Sequence, residues 1–135
     1  MTADDIITAA RSCLDTPFLH QGRIPGLALD CAGLVVAVAQ YLGVEHVDLG
    51  GYSRNPSNGI LEQALDLQPC LERVAAKQTG DVLLMRIGTE PQHLAILDGE
   101  NIIHAYSSVG NVCEHRLTEQ WVRRIVRVYR FKGMA

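Results

Sequence analysis

A strongly apolar run extends from Cys31 to Leu42, with Gln40 as its only strongly polar side chain and an aspartate directly before it. Asp30 is a good N-cap and Gly43 a good C-terminal stop, so the pattern predicts a helix buried almost all round. Upstream, Thr2-x-x-Asp5 resembles a capping box with Asp in place of Glu. Ile6, Ala9, Ala10, Cys13 and Leu14 make one apolar face, which predicts a first helix over about residues 3–14, stopped by Pro17. Residues 22–29 and 50–59, rich in Gly, Pro, Ser and Asn, read as loops, and a third helix is expected over about residues 60–67. After Gly80 the period changes towards two. Residues 81–86, 93–98, 101–106, 111–116 and 125–131 read as strands joined by turns at Gly99 and Gly110. Helices first and an antiparallel sheet second is an α+β layout.

Composition narrows the class without deciding it. At 135 residues the chain is expected to be a single domain, 1–135, with a real core. A net charge of −3 argues against a nucleic-acid surface. The basic C-terminal stretch, Arg123, Arg124, Arg127, Arg130 and Lys132, reads as a solvated strand face, because charges alternate there with Val126 and Val128. No run approaches the roughly 18 apolar residues of a membrane helix, so no membrane insertion is expected. The acidic Met1-Thr2-Ala3-Asp4-Asp5 start is unlike a secretory signal and points to a protein that is made to stay in the cytoplasm. The four cysteines, 13, 31, 70 and 113, form no C-x-x-C pair, and Cys113-x-His115 lacks the further ligands of a zinc site, so no metal is expected.

Candidate chemistry gathers on Cys31. A thiol in the first turn of a helix feels the dipole and the free amide N–H groups, which lower its pKa and offer donors to a developing oxyanion. Two histidines open or interrupt the apolar strands downstream, in Pro91-Gln92-His93-Leu94 and Ile102-Ile103-His104-Ala105. They are equidistant from the Asp98-Gly99 junction, so a hairpin there makes them cross-strand neighbours. Cys31, His93 and His104 are thus the expected catalytic set, with His93 as base and His104 orienting its ring. His46 and His115 have no such partner and read as surface or structural residues.

The order Asp30-Cys31-x-Gly33-Leu34, then His93, then His104 resembles the NlpC/P60 family of papain-like cysteine peptidases. Pro17-Phe18-Leu19-His20-Gln21-Gly22-Arg23, Gly80-Asp81-Val82-Leu83-Leu84 and Val112-Cys113-Glu114-His115-Arg116-Leu117 further resemble its short phage-encoded branch. The resemblance implies the papain-like NlpC/P60 fold and cofactor-free amide hydrolysis of peptidoglycan stem peptides. It also implies delivery on a phage or phage-like tail tip, with tail-tip or hub proteins as partners. One departure is that Phe18 stands where many members carry a tyrosine whose hydroxyl helps hold the oxyanion. His20, Gln21 and Asp30 join Phe18 as residues expected to face substrate or oxyanion. Two other classes stay open, a structural tail-tip protein on the same fold and a thiol amidase or acyltransferase.

Overall fold

The computed structural model describes all residues except Leu49, Asn55 and Ser57. The first helix, α1 (Ala3–Arg11), has the expected capping box: Thr2 Oγ1 accepts from the Asp5 amide and the Asp5 carboxylate accepts from the Thr2 amide. It ends three residues before the expected 14. The chain is drawn away by a pairing with a distant strand, since Asp15 donates to the Val112 carbonyl at 2.9 Å and Phe18 to the Gly110 carbonyl at 2.8 Å. Within the expected 22–29 loop lies a small hairpin, β1 (Arg23–Ile24) and β2 (Ala28–Leu29). Then comes α2 (Cys31–Leu42), capped by Asp30 and closed by Gly43 in the left-handed region, as its sequence predicts. The third helix, α3, spans Ile60–Asp66.

Six antiparallel strands follow: β3 (Leu71–Val74), β4 (Val82–Ile87), β5 (Glu90–Asp98), β6 (Asn101–Tyr106), β7 (Asn111–Arg116) and, after the short helix α4 (Glu119–Val122), β8 (Ile125–Phe131). They lie in the order β3-β8-β4-β5-β6-β7. Like the β1–β2 hairpin, β3 and α4 have no counterpart in the periodicity. One sheet face, with Leu84, Ile96 and Ile103, packs with Ile6 of α1 and Leu34 and Val38 of α2 in the main core. The other, with Leu83, Met85, Ala95, Leu97 and Ile102, is covered by Trp121 and by Leu117 and Ile125 beside α4. Both faces of the central strands are therefore buried, which is why Val82-Leu83-Leu84-Met85 and Leu94-Ala95-Ile96-Leu97 are continuous apolar runs. The fold is α+β, helices on an antiparallel sheet, as expected.

The start of α2 is fixed by a close backbone approach. A Cβ on Gly33 would lie 2.1 Å from the Gly22 carbonyl oxygen, and one on Gly22 would lie 2.6 Å from the Ala28 backbone. Gly33→Ala therefore forces the helix away from the β1–β2 hairpin and is expected to destabilise by about 1–3 kcal/mol, the usual cost of overpacking. Urea denaturation of the variant checks this, and an unchanged midpoint contradicts it.

Candidate active site

Cys31 is the first residue of α2, and the side chain before it organises the local structure. The Asp30 carboxylate is buried and accepts from the Gly33 amide at 2.7 Å, the Gln21 amide at 2.8 Å, the Arg23 guanidinium at 2.8 Å and the Tyr52 hydroxyl. Arg23 in turn donates to the Tyr52 hydroxyl at 2.7 Å and bridges to Asp48. Burial and the bond to Asp30 hold the Tyr52 hydroxyl above its ordinary range, so it stays protonated. The Gln21 side chain donates to the Tyr52 carbonyl at 2.9 Å and accepts from the Gly51 amide at 3.2 Å, while His20 Nε2 lies 3.0 Å from the same Tyr52 carbonyl. Asp30, Gln21 and His20 thus clamp the 51–52 segment beside the thiol. Asp30 can only accept hydrogen bonds as a carboxylate, and this positions it as cap and anchor, not as an oxyanion donor.

A cavity of about 140 Å³ is lined by Phe18, His20, Cys31, Tyr52, Gln92 and His93, among others. Gln21 is outside it, and Phe18 adds an apolar wall. A larger apolar cavity of about 300 Å³ between α2 and α3 shares the Tyr52 and Leu61 walls but contains none of Cys31, His93 and His104 in its lining.

His93 reaches the smaller cavity because β5 carries a bulge. Met85 pairs with His93 and Arg86 with Pro91, which leaves Gln92 as the extra residue. The Gln92 carbonyl is the thiol's hydrogen-bond acceptor, 4.0 Å from Cys31 Sγ. Burial first, then the Asp30 carboxylate, pushes the Cys31 thiol up to about 12, and the Leu94 and Ala32 amides and Arg23 offset only part of this. The expected lowering by the helix dipole is outweighed, so the resting group is a neutral thiol.

Behind His93 the histidines of β5, β6 and β7 form a hydrogen-bonded row. His93 Nε2 lies 2.6 Å from His104 Nδ1, and His104 Nε2 lies 2.7 Å from His115 Nε2. Tyr106 stacks on His104 at 5.2 Å and Trp121 meets it edge-on at 5.2 Å, which leaves His104 with no exposed surface. Burial lowers His93 to about 4, helped by the charge of Arg124, and lowers His104 to about 3. Both rings are neutral in the folded protein at neutral pH. An unfolded histidine titrates near 6.5, so the unfolded chain takes up protons that the folded one refuses, and stability falls as pH drops from about 6.5 towards 4. We expect a loss of a few kcal/mol over that window, of the order that such shifts imply. Urea denaturation at pH 7 and pH 4.5 measures it, and the His93→Gln/His104→Gln double variant should show the flatter pH dependence. Equal pH dependence in both proteins contradicts this account.

The NlpC/P60 family profile matches residues 15–130. The chain belongs to the NlpC/P60 family. Members of this family are generally cysteine peptidases. No curated protein matches the chain. Among solved structures, an NlpC/P60 family protein from Bacillus cereus superposes with a TM-score of 0.69 at 20% identity, covering 97% of this chain and 40% of that one. The present chain thus spans about two fifths of the Bacillus protein. The NlpC/P60 domain of the peptidoglycan hydrolase SagA superposes with a TM-score of 0.65 at 23% identity, covering 95% and 97%. RipD from Mycobacterium tuberculosis, described as a non-catalytic NlpC/P60 domain protein adapted to peptidoglycan binding, gives 0.61 at 14% identity, covering 98% and 97%. These likenesses establish the fold.

Within this NlpC/P60 domain two sequence expectations are corrected. The β5–β6 turn is the pair Gly99-Glu100, with Asp98 opposite Asn101, so His93 and His104 are diagonal neighbours on one face and not directly opposite. His115, read as unpartnered, contacts His104, because β6 and β7 pair His104 with Cys113 and place the residue two further on beside it. The basic C-terminal stretch stays largely solvated, with Arg123, Arg127 and Lys132 exposed, while Arg130 pairs with the buried Asp81, Arg127 with Glu62, and Arg124 lies 4.4 Å over the Trp121 ring. Trp121, the chain's single tryptophan, is a site residue that sequence reasoning passed over. The ligand atoms of His104, Cys113 and His115 lie within 4.8 Å of one another. They are one short of the tetrahedral set of a structural zinc site, and the two imidazoles already use their facing nitrogens on each other.

Proposed function

We propose that this NlpC/P60 domain is a cysteine peptidase that cleaves stem peptides of peptidoglycan, with Cys31 as nucleophile, His93 as general base and His104 as the group that orients it. The observation that carries the reading is the cavity shared by Cys31, at the N-terminus of α2, and His93, whose Nε2 is bonded to His104. Cys31 Sγ attacks the substrate carbonyl as its proton passes to His93, which keeps the thiolate from having to exist free in a site that disfavours it. The oxyanion faces the first-turn amides of α2. His93 then gives the proton to the leaving amine, a thioester remains on Cys31, and water releases the acid. Deacylation returns the thiol proton.

The substrate class is supported by the sequence resemblance and by relatives described as peptidoglycan hydrolases, SagA and RipB from Mycobacterium tuberculosis. Delivery on a phage or phage-like tail tip, with hub proteins as partners, rests on the resemblance of the flanking motifs to the short phage-encoded branch. Phe18 favours one second reading, a protein that binds peptidoglycan or builds a tail tip without cutting, because the cavity wall there lacks a hydroxyl. Incubation with purified sacculi separates the two. Release of muropeptides with new free amino groups supports the peptidase, and retention on sacculi with no release supports the binding protein.

A further inference from the structure

The histidine row has a direction that can be read from its outer end. His115 Nδ1 lies 2.9 Å from the Arg116 carbonyl oxygen, which can only accept, so the proton of that bond sits on His115 Nδ1. In a neutral ring the other nitrogen is then bare. His115 Nε2 must accept from His104 Nε2 across 2.7 Å, which leaves His104 Nδ1 bare. His104 Nδ1 must then accept from His93 Nε2 across 2.6 Å. The unprotonated nitrogen of His93 is consequently Nδ1.

We propose that His115 is a positioning residue: anchored to the Arg116 carbonyl, it fixes the tautomer of His104 and through it keeps His93 Nδ1 free to take a proton. The inference deepens the peptidase reading and rests on it for its catalytic consequence. The tautomers themselves can be tested without substrate. His104 alone does not set the direction, since an isolated imidazole pair can share its proton either way. Reversal puts a proton on His93 Nδ1 and removes the base. The backbone carbonyl breaks that symmetry, as an outer hydrogen bond fixes the tautomer of an imidazole that acts elsewhere. The surrounding structure suits a fixed row: Tyr106 and Trp121 box in His104, and Trp121 lies 5.6 Å from the His115 ring.

The test is ring ¹⁵N NMR of the resting protein together with steady-state kinetics on a stem peptide. Wild type should show His115 protonated at Nδ1 and His104 and His93 protonated at Nε2. In His115→Leu the His93 ring should populate the Nδ1–H form, and kcat should fall about tenfold or more with KM unchanged, the scale seen when an outer hydrogen-bond partner is lost. His115→Gln, whose amide oxygen can accept from His104 while its NH₂ donates, should restore the tautomer and most of kcat. A merely structural role would alter neither the tautomer nor the kcat-to-KM pattern, and Gln would rescue no better than Leu. Wild-type His115 protonated at Nε2, or His93 unchanged in His115→Leu, overturns the proposal. A wild type with the expected tautomers but no turnover overturns the peptidase reading instead and leaves the ordered row standing.

Discussion

Cys31→Ala is expected to abolish stem-peptide hydrolysis, a loss of about a thousandfold or more, with little change in melting temperature. Removing the nucleophile of a thiol or serine hydrolase removes the chemistry and leaves only residual binding and oxyanion effects. The structure adds the reason that stability should hold. Cys31 keeps part of its surface in solvent, and its thiol makes only a long contact to the Gln92 carbonyl. His93→Ala should lose as much activity, because the thiol is held neutral by burial and by Asp30 and cannot ionise without a base to receive its proton. The His93→Ala/His104→Ala double variant should then be hardly worse than His93→Ala alone. Rates on a defined stem peptide with parallel thermal melts test this. Full activity in Cys31→Ala removes the nucleophile assignment, and additive losses in the histidine pair remove the orienting role of His104.

Asp30→Ala should have the largest effect on stability. It removes the N-cap of α2 together with the acceptor shared by Gln21, Arg23, Gly33 and Tyr52. An N-cap is worth about 1 kcal/mol and a hydrogen bond to a charged group about 1.5–3, so a loss of about 3 kcal/mol is expected after Arg23 falls back on Asp48. For a chain of this size that is a drop of about 10 °C in Tm. Asp30→Asn should recover part of it, since the amide oxygen can still accept from the Gly33 amide and keep the cap of α2, whereas the amide NH₂ cannot replace the oxygen that accepts from Gln21. A Tm of Asp30→Ala within a degree or two of wild type would mean that the carboxylate is not the organising anchor.

Much of this arrangement was legible along the chain. Asp30, Gly43 and the apolar run between them specify α2 through local capping and burial, and short apolar or alternating runs bounded by turn residues specify β4 to β8, so both survive in the structure nearly unchanged. The helix over 3–14 stopped early because residues 15–18 pair with β7, a contact nearly a hundred positions away in sequence. Distance in sequence also hid the chemistry that matters most. Gln92 is an unremarkable residue until the bulge makes it the extra one in β5, and no alternation pattern announces a bulge. His93 and His104 could be paired from the turn between them, but their diagonal placement depends on where the two-residue turn sits. His115 became a partner of His104 only through the β6–β7 register. Tyr52 lies 22 residues from the Asp30 that it bonds, in a stretch without periodic signal. The expectation of a lowered thiol pKa failed on magnitude, because a helix dipole is a small effect beside burial next to a carboxylate.

The central claim is that Cys31 forms a covalent acyl intermediate with a peptidoglycan stem peptide, and acid-quenched mass spectrometry of the protein mixed with that peptide tests it most directly. The account predicts a fraction of chains heavier by the acyl half of the peptide, mapped to Cys31, alongside release of the amine half, and neither in Cys31→Ala. Cleavage that persists in Cys31→Ala, or a wild type that binds the peptide with no adduct and no released amine, would contradict it.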